Sequence, residues 1–238
     1  MRYILFLLFF TYCSFPAKFK AGKAVQIEGE TFDSNVKTLN LSQYDLKKIP
    51  KEILEFTNLE VLNLEENYIE KIENLDNLKN LKVLKLKGNF IQKLENLDSL
   101  TELEELDLWN NKIKRVENLS KLKKLRKLDL WANPLEAKSH DWEGLISVKE
   151  LSLNNCGIES ISGLEKLDSL ESLSLDENPS LTELDGLTGL KNLKKLNIAE
   201  TGIKKMKKST ANFLQERRIL INGKKAEEFL RETSIRIE

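Results

Sequence analysis

The chain has 238 residues, enough for one domain of good size or a repeat array, and is 40% hydrophobic and 32% charged, a balance that excludes a disordered chain. Basic and acidic residues number 38 each, so no basic excess points to nucleic acid.

The first stretch, "MRYILFLLFFTYCSFPAKFKAGKA", carries Arg2 and then an apolar run from Tyr3 to Phe15. That run is shorter than the roughly 20 residues a membrane-spanning helix needs, and it fits the core of a secretory signal peptide. Cleavage reads after Ala24, at Gly22-Lys23-Ala24, or after Ala17. Two alternatives stay open. Cys13 offers a lipid anchor, although Tyr12 stands where such a site wants a small residue, and the run also suits a buried apolar strand. Loss of residues 1–24 removes Arg2, Lys18, Lys20 and Lys23 and leaves 34 basic residues against 38 acidic ones. Cys156 is then the one remaining cysteine, so no intrachain disulfide is expected.

Residues 25–35 are expected to cap an array that begins at Val36. The copies are "VKTLNLSQYDLKKIPKEILEFTN" from Val36, "LEVLNLEENYIEKIENLDNLKN" from Leu59, "LKVLKLKGNFIQKLENLDSLTE" from Leu81 and "LEELDLWNNKIKRVENLSKLKK" from Leu103. They continue with "LRKLDLWANPLEAKSHDWEGLIS" from Leu125, "VKELSLNNCGIESISGLEKLDS" from Val148, "LESLSLDENPSLTELDGLTGLKN" from Leu170 and "LKKLNIAETGIKKM" from Leu193. In each, L-x-L alternates with period two, as a half-buried strand does, and the later I-x-x-I-x-x-L spacing suits a short helical or 3₁₀ return. One unit cannot bury its own apolar face, but stacked units share a continuous core. Asn67, Asn89, Asn111, Asn133 and Asn178 sit where the chain leaves the strand. They are expected to form a buried ladder whose amides bond the turn backbone of neighbouring coils. Tyr44, Cys156 and Thr201 take that place in other copies, so Cys156 reads as a small ladder filler rather than a nucleophile.

The pattern L-x-x-L-x-L-x-x-N resembles the leucine-rich-repeat family, 22-residue class, over about residues 36–206. The resemblance implies an α/β right-handed solenoid: a parallel sheet on the concave side, short helical or 3₁₀ segments on the convex side, and capped ends. It also implies a protein-binding role. Bacterial secreted and surface proteins of the internalin type are similar and attach to host proteins. The protein phosphatase 1 regulatory subunit is similar too and would make the chain an intracellular regulator. A periplasmic scaffold is a third reading. Many animal extracellular relatives have cysteine-rich caps, so their absence here favours a bacterial protein.

Residues 207–238 read as a C-terminal cap: a helix from about Ser209, which would be its N-cap, a strand at Arg218–Ile221, a turn at Asn222-Gly223 and a final helix. The Lys204–Lys208 run reads as a solvated edge. His140 and Trp142, in "KSHDWEGL", fall on a lengthened convex segment, read as a surface helix with Trp142 tucked against the coil.

No catalytic constellation is visible. One histidine and one mature cysteine make no metal cluster, and there is no Walker loop, nucleophile elbow or G-x-G-x-x-G. No enzyme activity, cofactor or metal is expected.

Numbering each copy from its first Leu, positions 1, 4 and 6 face the core and positions 3, 5 and 7 face outward onto the concave sheet. Position 7 carries Lys87, Trp109 and Trp131, position 5 Lys85, Asp107 and Asp129, and position 3 Glu105, Lys127 and Glu150. The expectation is that Trp109 and Trp131 lie side by side about 5 Å apart. A Glu105–Lys127–Glu150 ladder and a Lys85–Asp107 pair are expected beside them. An aromatic centre ringed by charge has the composition of an interface hot spot, though two Trp rings stacking only on each other would also cover the sheet. Asp107 beside Asp129 could hold a cation, but Lys85 and Lys127 offset their charge. The partner-binding candidates are thus Trp109, Trp131, Asp107, Asp129, Lys85, Lys87, Glu105 and Lys127, on an exported monomer that binds a protein partner.

Overall fold

A computed structural model describes residues 22–136 and 141–238. The apolar run, Cys13, Ala17 and His140 lie outside the described residues. The described chain opens with a hairpin, β1 (Ala24–Ile27) against β2 (Glu30–Asp33). The repeats then give one three-residue strand each: β3 (Thr38–Asn40), β4 (Val61–Asn63), β5 (Val83–Lys85), β6 (Glu105–Asp107), β7 (Lys127–Asp129), β8 (Glu150–Ser152), β9 (Ser172–Ser174) and β10 (Lys195–Asn197). The end of the chain supplies β11 (Lys205–Met206), α1 (Lys208–Glu216), β12 (Leu220–Ile221), β13 (Lys224–Lys225), α2 (Ala226–Glu232) and β14 (Arg236–Ile237).

The strands from β3 to β10 pair in parallel and in chain order, and β12 and β13 extend the same sheet to ten strands. The register is that of the repeat: Leu62, Leu84, Leu106 and Leu128 are successive partners. Positions 4 and 6 are buried in every copy, and position 1 in every copy but the first, where Val36 is half-buried; Leu103, Leu106 and Leu108 show the common case. The chain is therefore a leucine-rich-repeat solenoid with a parallel concave sheet. The convex return is a 3₁₀ helix at Lys51–Glu55, Trp142–Leu145, Leu164–Lys166 and Leu187–Gly189. In the coils from Leu59, Leu81 and Leu103 it is a run of turns. Trp142 is buried, on a 3₁₀ turn rather than a surface helix.

Asn67, Asn89, Asn111, Asn133 and Asn178 are all buried. Asn111 shows the common pattern. Its Nδ2 donates to Leu86 O of the preceding coil and Leu108 O of its own, both at 3.0 Å, and its Oδ1 accepts Ile91 N–H at 3.0 Å. The thiol of Cys156 donates in the same direction, to Leu130 O at 3.1 Å, but offers no amide oxygen in return. Leu135 N–H, which an amide oxygen would have accepted, bonds Asn133 O instead. Burial pushes the Cys156 thiol up to about 12, far from thiolate chemistry at neutral pH.

A second ladder runs through the ENL triplets. Asn74, Asn96 and Asn118 take left-handed backbone angles, φ 60, 57 and 59°, which Asn tolerates better than most residues. They donate to Ile49 O, Ile72 O and Leu94 O at 2.8, 2.7 and 2.8 Å. Gly163 and Gly186, φ 94 and 95°, occupy the corresponding turns further on.

The ends depart from expectation in three places. α1 starts at Lys208 with Lys207 as N-cap and no side-chain cap bond, so Ser209, two residues past the N-cap, lies inside the helix and does not cap it. The Lys204–Lys208 run is not simply a solvated edge. Its lysines are exposed, but Met206 is buried and β11 pairs in parallel with β14. The strand read at Arg218–Ile221 shortens to β12, because Arg218 has φ 54°.

Position 2 alternates in sign along the sheet edge except where Arg126 is followed by Lys149. Glu60 sits between Lys37 and Lys82 at 2.6 and 2.7 Å, and Glu171 between Lys149 and Lys194 at 2.8 and 2.5 Å. Hydrogen bonds from these lysines hold both carboxyls at about 2, below the ordinary 4.5.

Two predictions follow from this framework. Asn111→Ala leaves Ile91 N–H without a partner inside a dry core, while Leu86 O and Leu108 O keep the Asn89 and Asn133 amides, and should cost roughly 1–3 kcal/mol in urea unfolding; a cost below about 0.5 kcal/mol would contradict the ladder's role. The depressed Glu60 and Glu171 carboxyls favour the folded state fully above pH 4.5, and that contribution is lost as pH falls towards about 2. Stability should decline across that window, and Glu60→Gln/Glu171→Gln should make the decline shallower. An acid limb of unchanged slope would exclude these groups. Added salt should weaken the effect, since both carboxyls are exposed to solvent screening.

Candidate functional site

The concave sheet is built from positions 3, 5 and 7, and its polarity changes along the array. Position 5 residues first serve the strand end. Asp107 Oδ1 accepts Trp109 N–H and Asp129 Oδ1 accepts Trp131 N–H, each at 3.0 Å. Asn63 and Asn40 do the same for Glu65 and Ser42. These Asx turns fix the direction in which position 7 leaves the strand.

Trp109 and Trp131 consequently stack, with ring centroids 4.7 Å apart and planes 10° from parallel. That separation is one strand spacing. Both rings are half-buried. Lys87 Nζ lies 3.8 Å from the Trp109 ring centroid, a cation–π contact. Burial pushes the Asp107 carboxyl above its ordinary value, with Asp129 beside it adding to the rise and the Trp109 N–H bond opposing it.

The expected charge pairs form only in part. Lys127 meets Glu105 at 3.0 Å but makes no ion pair with Glu150, so the three-membered ladder stops at two. Lys85 and Asp107 do not pair either. The Asp107 carboxylate is committed to Trp109 N–H and partly buried, so a lysine reaching it would give up hydration for a crowded acceptor. Trp109, Trp131, Lys87, Asp107 and Asp129 are thus gathered at one place, Glu105 and Lys127 form a pair on the same face, and Lys85 stands beside them unpaired among the described residues.

One aromatic feature escapes a reading confined to positions 3, 5 and 7. Tyr68 and Phe90, at position 10, stack at 6.1 Å and 8° and are 50% and 43% exposed. Their spacing of one repeat is the signal that would have found them, the same signal that marks the Trp pair. Among the described residues, no group of three His, Cys, Asp or Glu side chains is placed to hold a metal ion, and no helix is long and apolar enough to cross a membrane.

A solenoid of this kind, whose outward face is assembled from repeated strand positions, is a protein-interaction scaffold. The family model described as Leucine Rich repeats (2 copies) matches residues 57–102, 79–115, 101–140 and 146–189. The chain belongs to the leucine-rich-repeat family, whose members are generally non-enzymatic interaction modules. A leucine-rich-repeat protein of Leptospira interrogans is similar in structure, with TM-score 0.67 and 25% identity over 79% of this chain and 54% of that one. An internalin of Listeria monocytogenes gives TM-score 0.64 and 23% identity over 81% of this chain and 63% of its own. Internalin C2 of the same species gives 0.62 and 22% over 74% and 78%. The chain spans about half the length of the Leptospira protein and under two thirds of the first internalin. No curated protein matches by sequence.

Proposed function

We propose that the chain is an exported, non-enzymatic protein of bacterial type that binds a protein partner through its concave face, with Trp109 and Trp131 as the anchor. One observation carries the reading: two half-buried, mutually stacked Trp rings stand near the middle of the sheet, bordered by Lys87, Asp107 and Asp129. Large, rigid aromatic side chains ringed by polar groups are what hot spots are made of. Stacking on each other, worth about 0.5–1.5 kcal/mol beyond area burial, leaves the outward edges of both rings for a partner. Tyr68 and Phe90 form a second exposed aromatic stack, on the neighbouring coils of β4 and β5.

Export rests on the apolar run from Tyr3 to Phe15. The first hairpin uses Lys23, whose backbone exchanges bonds with Ser34 at 2.9 Å, and β1 begins at Ala24. Processing after Ala17 leaves that hairpin whole, so it is the favoured cut over Ala24. Attachment to a host protein is the role drawn from the internalin likeness, and it belongs to this proposal.

The test is a Trp109→Ala/Trp131→Ala variant against a protein partner recovered with the wild type. Both positions face outward, so the variant should stay folded, and its affinity should drop by at least about 2 kcal/mol, roughly thirtyfold. Unchanged affinity in a folded double variant would reject the face. The intact mass of the native protein, with its accessibility to external protease, separates export from retention.

A further inference from the structure

The column of side chains crossing the sheet at position 7 is unfinished. Lys87 caps one face of Trp109, Trp109 stacks on Trp131, and there the column stops. Among the described residues, no second ring or cation lies on the far face of Trp131. The next coil puts Asn154 there. That side chain is short and held down, 9% exposed, with Oδ1 accepting Asp176 N–H at 2.9 Å. The coil after it puts Asp176 in the column. Trp131 and Asp176 thus stand two strand spacings apart, about 9.6 Å, with a buried amide as the floor between them. A flat group stacked on Trp131 at about 4 Å fits that slot and comes within ion-pair reach of Asp176.

Charge selects the group. Asp129 and Asp176 border the slot, and among the described residues neither has a cation at ion-pair distance, the nearby Lys127 turning to Glu105. Asp129 accepts Trp131 N–H, and Asp176 accepts Ala199 N–H at 2.6 Å together with the Ser174 hydroxyl. A carboxylate has about four acceptor sites, so both retain capacity for a donor.

We propose that Trp131, Asp129 and Asp176 form a subsite for a guanidinium, an arginine side chain presented by the protein partner. The proposal rests on the concave-face reading and adds the chemistry of what that face selects. Arginine is flat enough to stack on an indole while its edge donates to carboxylates, two things a lysine cannot do together. A neutral ring would stack but leave both carboxylates unmatched. Burial pushes the Asp176 carboxyl above its ordinary value, the mark of an anion short of solvent, where a cation is worth more than in open water.

The test uses the full chain labelled with nitrogen-15, whose indole N–H signals from Trp109, Trp131 and Trp142 are assigned by single substitutions. It is titrated with N-acetyl-arginine amide, N-acetyl-citrulline amide and N-acetyl-tyrosine amide. The arginine amide should shift the Trp131 signal saturably and leave Trp142 still. Citrulline, of the same shape without the charge, should bind about tenfold more weakly, and Asp129→Asn/Asp176→Asn should lower arginine affinity by a similar factor. Equal binding of citrulline, tighter binding of the tyrosine amide, or a linear response common to all three indoles would overturn the subsite. Loss of the protein partner from the double Trp variant, with no arginine response in the wild type, would keep the face and remove the guanidinium.

Discussion

A coil of 22 residues cannot bury its own leucines, and a stack of coils cannot stay dry unless the backbone leaving each strand finds hydrogen-bond partners. The buried asparagines meet that constraint. Each reaches the carbonyl of the coil before it and the carbonyl of its own strand end, and receives an N–H from the preceding coil's return. The bond therefore crosses between coils in both directions, and it ties the position of each turn to that of its neighbour. Neighbouring leucines then meet at equal heights, and the sheet keeps a constant parallel register. Cys156 shows what the amide adds by supplying only half of it: the donor is kept and the acceptor is lost, so the local N–H closes on its own turn.

Constant register turns sequence phase into surface. Residues one repeat apart become neighbours one strand spacing apart, so any pair of aromatics in phase becomes a stack. This holds twice, for Trp109 with Trp131 and for Tyr68 with Phe90. The Asx turns at position 5 remove much of the remaining freedom at position 7. A partner meeting this face meets side chains already ordered, which lowers the entropy that association costs. The sheet edge at position 2 uses the same register for another end, placing Glu60 and Glu171 each between two lysines.

Much of this was legible in the chain. Leucine at positions 1, 4 and 6 and asparagine at position 9 named the core, the ladder and the face carrying the Trp pair, and Cys156 could be placed by phase alone. Charge pairing was less legible. Nearness in the column made Lys85 a partner for Asp107, but the Asp107 carboxylate already serves Trp109 N–H, and Lys87 lies on the Trp109 ring. Strand alternation ends at position 7, so it is silent about Tyr68 and Phe90 and about Asn74, Asn96 and Asn118, whose placement depends on left-handed turns. The pairing of β11 with β14 joins two-residue strands about thirty residues apart, too short for any periodicity to announce.

The central claim is that the register prearranges the Trp109–Trp131 stack in the free protein. The proton spectrum of the unliganded chain tests it most directly, because a ring lying flat on another shifts its neighbour's protons upfield. The Trp131 ring protons should resonate upfield of their ordinary positions and return towards them in Trp109→Ala. Trp131 signals at ordinary positions, or signals unmoved by that substitution, would contradict a face built in advance of its partner.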